Sequence, residues 1–382
     1  MGQDVKNASR FCQIPAGLGT RRLSTNTDRR EIIVAAGLIT VLSIAALSTY
    51  LLWAPPPFEE SPIASAYAVI SIDGDANFTA TALLAGWPGD GSPENPYIID
   101  GLDIERDQSL GIDGEGHCIL IENTRVSFII RYCNLTGASC HMIGIEYAGI
   151  TLVNVSGGLL VNNVFHQNEA GIYLADSRSN TVVNNTFHDN FWGICLADSL
   201  SNTVVNNTFY ACMHYGGIGI DLESSHLNNI VNNTCNVSSV GIGVDGSGPN
   251  TLVNNTCSNA EIGIRLSDSD SNIVANNNCF NNTEHGIYLL FSENNTLSDN
   301  TFNSNDIGIY LRNSDSNTLA NNNCSNNRID IYKREVTYER IILGDGFDSG
   351  VLLSIGFVGF IEFLAITLLA GLIVGKRVSM VE

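Results

Sequence analysis

From Gly171 to Tyr332 apolar and polar residues alternate with a period of two, in short bursts that return at a fixed distance. Most bursts open on Gly-Ile: Gly171-Ile172-Tyr173-Leu174, Gly193-Ile194-Cys195-Leu196, Gly219-Ile220-Asp221-Leu222 and Gly241-Ile242-Gly243-Val244. Gly263-Ile264-Arg265-Leu266, Gly286-Ile287-Tyr288-Leu289, Gly308-Ile309-Tyr310-Leu311 and a degenerate Asp330-Ile331-Tyr332-Lys333 follow. The interval is 22 residues, except for one of 26 before Gly219 and one of 23 before Gly286. A period in this range is the signature of a solenoid, whose unit cannot bury its apolar face alone.

Within a unit Ile172 and Leu174 point one way and Tyr173 the other. About six residues later comes Asn180-Thr181-Val182-Val183-Asn184-Asn185-Thr186-Phe187, a second short strand, a bend and a third. The block recurs at Asn202–Phe209, Asn228–Cys235, Asn250–Cys257, Asn272–Cys279, Asn295–Phe302 and Asn317–Cys324. Runs of Asn, Ser and β-branched residues are poor helix formers. Three strands per turn therefore predict an all-β, right-handed parallel β-helix of about ten rungs. A bend asparagine tolerates the left-handed conformation and can stack its amide on its neighbour's; the sequence leaves open which asparagine of each pair turns inward. A serine column (Ser177, Ser199, Ser225, Ser247, Ser269, Ser292, Ser314) marks the other bend. Cys235, Cys257, Cys279 and Cys324 take the place held by Phe187, Phe209 and Phe302, so they are expected in the core as small hydrophobes, with disulfides between stacked neighbours or Cu(I) ligation by their soft thiolates as the alternatives. A Cys133–Cys140 bridge is conceivable near the entry of the coil.

The flanks have a different pattern. Ile32–Trp53 carries no charge and is long enough to span a bilayer, behind a basic head with Lys6, Arg10, Arg21, Arg22, Arg29 and Arg30. Val351–Gly375 is a second spanning candidate, closed by Lys376 and Arg377. Both basic ends put the termini inside and the body outside. The expected order is a cytoplasmic tail (1–31), an anchor (32–54), a Pro-rich linker (55–70) and the β-helix with its N-terminal cap (71–340). A second linker (341–350), a transmembrane helix (351–375) and a cytoplasmic tail (376–382) complete it. Cleavage after Ala64-Ser65-Ala66 would turn the first anchor into a signal peptide. Glu362, amid the second span, is a candidate for an intramembrane partner.

With 18 Lys and Arg against 39 Asp and Glu, the net charge is −21. No basic stripe offers itself to nucleic acid. Sequons at Asn77, Asn134, Asn154, Asn184, Asn206, Asn232, Asn236, Asn254, Asn281, Asn294 and Asn323 would suit a glycoprotein, though many follow from the repeat itself.

Gly86-Trp87-Pro88-Gly89-Asp90-Gly91-Ser92-Pro93-Glu94-Asn95-Pro96-Tyr97-Ile98-Ile99-Asp100-Gly101, followed by the rung Ile119–Thr124, resembles the entry of NosD-like right-handed β-helix proteins. These are also described as carbohydrate-binding and sugar-hydrolase domains. The resemblance covers Ile72 to about Tyr332. It implies the fold, an exported body and, through the family's namesake, a copper-handling role. The apolar alternation at Tyr97–Ile104 is expected to cap the open end of the coil.

Three constellations carry chemistry. Glu223 and Asp245 share an outward column on adjacent rungs, with Asp221 beside them; a spacing of roughly 5 Å suits a glycosidase pair or a Ca²⁺ site, and equally a solvated acidic strand. Tyr173, Tyr288, Tyr310 and Tyr332 share a column with Asp221 and Arg265, an aromatic strip that would stack on sugar rings or merely on itself. His166, His188 and His214 are the candidate metal ligands, Cu among them. The long rung after Gly193 holds an insertion near Cys212–Gly217, where function often collects. The reading that follows is a membrane-anchored extracytoplasmic β-helix acting as a surface scaffold or polysaccharide-binding module. A polysaccharide lyase or glycoside hydrolase, and a NosD-like copper accessory, are the alternatives.

Overall fold

A computed structural model describes residues 69–106, 116–138, 147–210, 217–237 and 239–335. The chain divides into two units, Met1–Arg334 and Glu335–Glu382, and the solenoid lies in the first. Among the described residues no helix is long and apolar enough to cross a membrane. Both hydrophobic spans, Glu362, His214 and Cys140 lie outside them.

The predicted β-helix is present. Three parallel sheets run its length: sheet I with 11 strands, from Ile70–Asp73 to Ile329–Arg334, and sheets II and III with 10 each. Every strand pairs with the one a full turn away. Ala170–Ala175, for example, lies between Ala148–Val153 and Trp192–Ala197 with Ile172 opposite Ile150 and Ile194. One turn comprises that six-residue strand, Thr181–Val183 of sheet II and Thr186–His188 of sheet III.

The interior is a set of columns. Phe165, Phe187 and Phe209 are in register and stack at 4.8 and 4.6 Å between ring centroids. The same column continues through Cys235, Cys257 and Cys279 to Phe302 and Cys324, all buried as the sequence predicts. Cys118 and Cys133, outside this column, are buried as well, and burial pushes both thiols up to about 12, which leaves them unreactive. Cys133 is a free thiol here. The recurrent glycine of each rung faces the same stack: a Cβ on Gly171 would meet the Phe187 ring and, at 2.8 Å, the carbonyl oxygen of Gly193. Close approach of ring and backbone thus explains the Gly-Ile opening.

The bends settle which asparagine turns inward. In Asn184-Asn185 the first takes the left-handed conformation, φ 56°, and the second is buried. Asn185 Nδ2 donates to Asn207 Oδ1 at 3.0 Å and to the Leu160 carbonyl at 2.9 Å, and its Oδ1 accepts from Asn163. A second amide ladder runs through Asn180, Asn202, Asn228 and Asn250. The serine column forms a third, each backbone N–H donating to the next hydroxyl oxygen. These bonds satisfy the polar groups that a tight bend would otherwise strand in the core.

The cap differs from the expectation. Tyr97–Asp100 and Asp103–Glu105 are the first strands of sheets II and III, not the lid. The lid is a helix, α1 (Asp75–Ala85), which buries Phe78 and Ala82. Phe78 lies 5.6 Å from Tyr97 and 5.2 Å from Phe128, so the helix closes the coil with an aromatic cluster on the first rungs of sheet II. Glycine at Gly86, φ 69°, terminates α1 in the left-handed conformation. At the other end the last strand reaches Arg334; the remainder of the expected C-terminal cap lies outside the described residues.

Candidate functional site

The outward column of sheet I reads Thr151, Tyr173, Cys195, Asp221, Gly243, Arg265, Tyr288, Tyr310, Tyr332, rung by rung. The adjoining column places Glu223 opposite Asp245, as the spacing predicts. The sequence-derived acids and the arginine therefore share one patch.

Its centre is a glycine. Gly243 leaves a notch between Asp221 and Arg265, and a Cβ built there would lie 2.5 Å from Asp221 Oδ1 and 3.5 Å from Arg265 Nη2. Both neighbours therefore lean over bare backbone. Arg265 Nη2 donates to Asp245 Oδ2 at 2.7 Å, which ties two of the charges together. Asp221 Oδ1 and Arg265 Nε, by contrast, are sealed from solvent without any hydrogen-bond partner. A stranded acceptor of this kind costs on the order of 1–3 kcal/mol. Burial, then the Asp245 charge, pushes the Asp221 carboxyl up to about 6; Arg265 opposes this and Glu223 adds to it. Glu223 itself is exposed. Among the described residues no group of three or more His, Cys, Asp or Glu is placed to hold a metal ion.

The tyrosines divide. Tyr288 and Tyr310 stack at 4.9 Å with planes 17° apart, and Tyr310 meets Tyr332 at 5.2 Å and 46°. His285 stands edge-on to the first two, at 5.3 and 5.0 Å. The inner faces of this stack are taken by its own members, so it offers edges and hydroxyls along its length and an outer face at Tyr332. Tyr173 belongs elsewhere: it packs beside Ala148, Ala170, Cys195 and Trp192, cut off from the strip by Asp221, Gly243 and Arg265.

The histidines do not form one centre. His166 and His188 are in register on sheet III, but His166 Nε2 faces Asp189 Oδ2 at 3.4 Å. His188 stacks on Tyr210 at 5.1 Å. His214 and the rest of the insertion at 211–216 lie outside the described residues. Sequence reasoning overlooked Gly243 and His285. The signal for the first was present: Gly241-Ile242-Gly243-Val244 is the one rung of the regular series with glycine in the outward slot.

A family model described as periplasmic copper-binding protein (NosD) matches residues 213–345, and one described as right handed β-helix region matches residues 98–257. No curated protein sequence matches the chain. Similar solved structures include the periplasmic alginate epimerase AlgG, at 16% identity over 65% of this chain and 67% of that one, TM-score 0.44. The A-module of the Azotobacter vinelandii mannuronan C-5 epimerase AlgE4 is 15% identical, covering 71% of this chain and 98% of its own, TM-score 0.42. The catalytic domain of a GH87 α-1,3-glucanase in complex with nigerose is 13% identical over 74% and 70%, TM-score 0.44. The chain thus resembles NosD-like and right-handed β-helix proteins in sequence, while likenesses this distant carry no argument about activity.

Proposed function

We propose that the chain is an extracytoplasmic carbohydrate-binding β-helix, held at a membrane by 32–54 and 351–375, and that the Gly243 notch is its sugar-binding site. One observation carries the reading: an acceptor, Asp221 Oδ1, and a donor, Arg265 Nε, both without a hydrogen-bond partner, lie over the bare backbone of Gly243, and a turn of either side chain away from it presents them to a ligand. A pair of sugar hydroxyls supplies both missing partners, donating to the carboxylate and accepting from the guanidinium. Charge-assisted hydrogen bonds of this kind are about twice as strong as neutral ones. Tyr288 and the stack beyond it give the next sugar an aromatic edge and hydroxyls. Export fits the NosD match, a family described as periplasmic.

A second reading, a polysaccharide lyase or glycoside hydrolase, has its own support. A carboxyl raised to about 6 can take up and release a proton near neutrality, as a general acid or base must. Asp221 would be that group, and Asp245 and Glu223 would tune it.

The test is a glycan array and a polysaccharide depolymerisation screen on the full-length chain. Binding without turnover, weakened at least tenfold by Asp221→Ala or Arg265→Ala, is the expected result. Turnover lost in Asp221→Asn would replace the module with the enzyme. Binding that survives both alanine variants would remove the notch from either account.

A further inference from the structure

A second groove lies on the bend between sheets I and II, in the N-terminal half of the coil, with a volume of about 230 Å³. Its floor is the buried Val155 and Ser177, and its two walls are columns of different charge. One wall carries Arg125 and Arg178. Ser156 lies between them, paired with Arg178 by a β-bridge and with its N–H donating to the Thr124 carbonyl, which sets Arg125 beside it. The other wall carries Asn154, Asp176 and Asp198, all in the left-handed conformation, with Asn154 N–H bonded to Ala175 O and Asp176 N–H to Ala197 O. Leu200 closes the far end.

The charges in this groove are left open. Arg131, Arg265, Arg328 and Lys333 are all ion-paired. The Arg125 and Arg178 guanidiniums have no such partner among the described residues, although Asp176 and Asp198 line the same groove. Arg125 lies near Asp75: its backbone N–H holds that carboxylate at 2.8 Å and its charge helps to lower the Asp75 carboxyl, though the two side chains form no ion pair at contact distance. Two guanidiniums on one wall, neither in an ion pair of its own, can give an anion charge-assisted hydrogen bonds, while Asp176 and Asp198 on the other wall limit where its charges can sit.

The order of groups along the walls specifies the anion. In an extended β-1,4-linked uronate chain each pyranose carries its carboxylate on one edge and its O2 and O3 hydroxyls on the other, and successive sugars are flipped. Same-side carboxylates are therefore two sugars apart. Arg125 and Arg178 are two rungs apart, about 9.6 Å, and one such sugar advances by close to one rung. The flipped sugar between them turns its carboxylate to Asn154, whose amide nitrogen keeps a hydrogen beyond the one given to Asn123 Oδ1, and its hydroxyls to Ser156. The third sugar meets Arg178 with its carboxylate and Asp176 with its hydroxyls. A fourth, flipped again, would bring a carboxylate against Asp198. We propose that this groove is a subsite for three consecutive uronate residues of an acidic glycan, bound through Arg125, Asn154 and Arg178 and ended by Asp198. It names a substrate class for the carbohydrate-binding reading, yet rests on none of the notch residues.

The experiment is calorimetric titration of the full-length chain with β-1,4-linked triglucuronate and with cellotriose, which has the same backbone without the carboxylates. The expected result is binding of triglucuronate at least tenfold tighter than cellotriose, an at least tenfold loss in Arg178→Ala and in Arg125→Ala, and no gain from a fourth uronate unless Asp198 is changed to Asn. Both arginines are exposed, so circular dichroism should report an intact coil in each variant. Equal affinity for the two trisaccharides, no measurable triglucuronate binding, or unchanged affinity in the double arginine variant would overturn the proposal. Gly243→Ala separates the two sites: a notch failure leaves triglucuronate binding intact, and a groove failure leaves notch binding intact.

Discussion

The asparagine bend at Asn255 and the notch at Gly243 both hold buried polar groups on neighbouring stretches of one coil, with opposite outcomes. Asn255 is fully buried and fully used: its Oδ1 accepts from the backbone and side chain of Asn233, and its Nδ2 donates to Ile230 O and Asn277 Oδ1. Asp221 Oδ1, sealed to a similar degree, has nothing. The bend lies where the repeat repeats, so each rung supplies the partner of the last. The notch lies where the outward slot changes from Cys195 to Asp221, Gly243 and Arg265, and apart from the Arg265–Asp245 pair no neighbour answers the change. Repetition buries polar groups safely; a departure from it leaves groups available for something else.

Substitutions can break that contrast from either side. The largest effect is expected for Asn255→Ala, which strands the Asn233 donors and the Ile230 carbonyl in the core; a loss of about 3–5 kcal/mol should appear in chemical denaturation. A loss under 1 kcal/mol would mean that the ladder is not what holds the bend. Next comes Gly193→Ala, whose Cβ would run into the Phe209 ring and the Gly219 carbonyl; overpacking of this kind costs about 1–3 kcal/mol. Gly243→Ala is the informative partner to it, because there the added carbon meets only the movable end of Asp221, and stability should stay within about 0.5 kcal/mol.

One shift is a gain. Since the folded Asp221 carboxyl titrates near 6, above its ordinary value of 3.8, the native state holds a proton that the unfolded chain has released. Stability from this group is therefore full below about pH 4 and falls as pH rises through 6. Asp221→Asn should stabilise the fold by on the order of 1–2 kcal/mol at pH 7, with the advantage vanishing at pH 4. Denaturation curves at the two pH values check the sign.

The sequence shows the coil clearly because its signal is repeated: a 22-residue period, a Phe/Cys core column and a serine bend are each written many times over. What it hides is whatever occurs once. The α1 cap contains no apolar stripe, and its Leu83 and Leu84 face solvent, so neither period nor moment announces a helix there. The inward asparagine was undecidable because Asn184 and Asn185 are the same residue, separated only by backbone conformation. The acidic patch was legible as a register of columns, whereas the partnering of Arg265 with Asp245 rather than Asp221 depends on rotamers that no pattern encodes. Likewise the column of the tyrosines is legible, but Tyr173 falls to the Cys195 cluster because the four rungs between it and Tyr288 carry no aromatic ring in that column.

The central claim is that the break in the repeat at Gly243 is the binding site. It is tested most directly by printing the full-length chain and its Gly243→Ala variant against the same glycan array, with denaturation curves to show that both are folded. The account predicts a defined set of glycans bound by the first and lost from the second at equal stability. The same glycans bound equally by both, or none bound by the first, would contradict it.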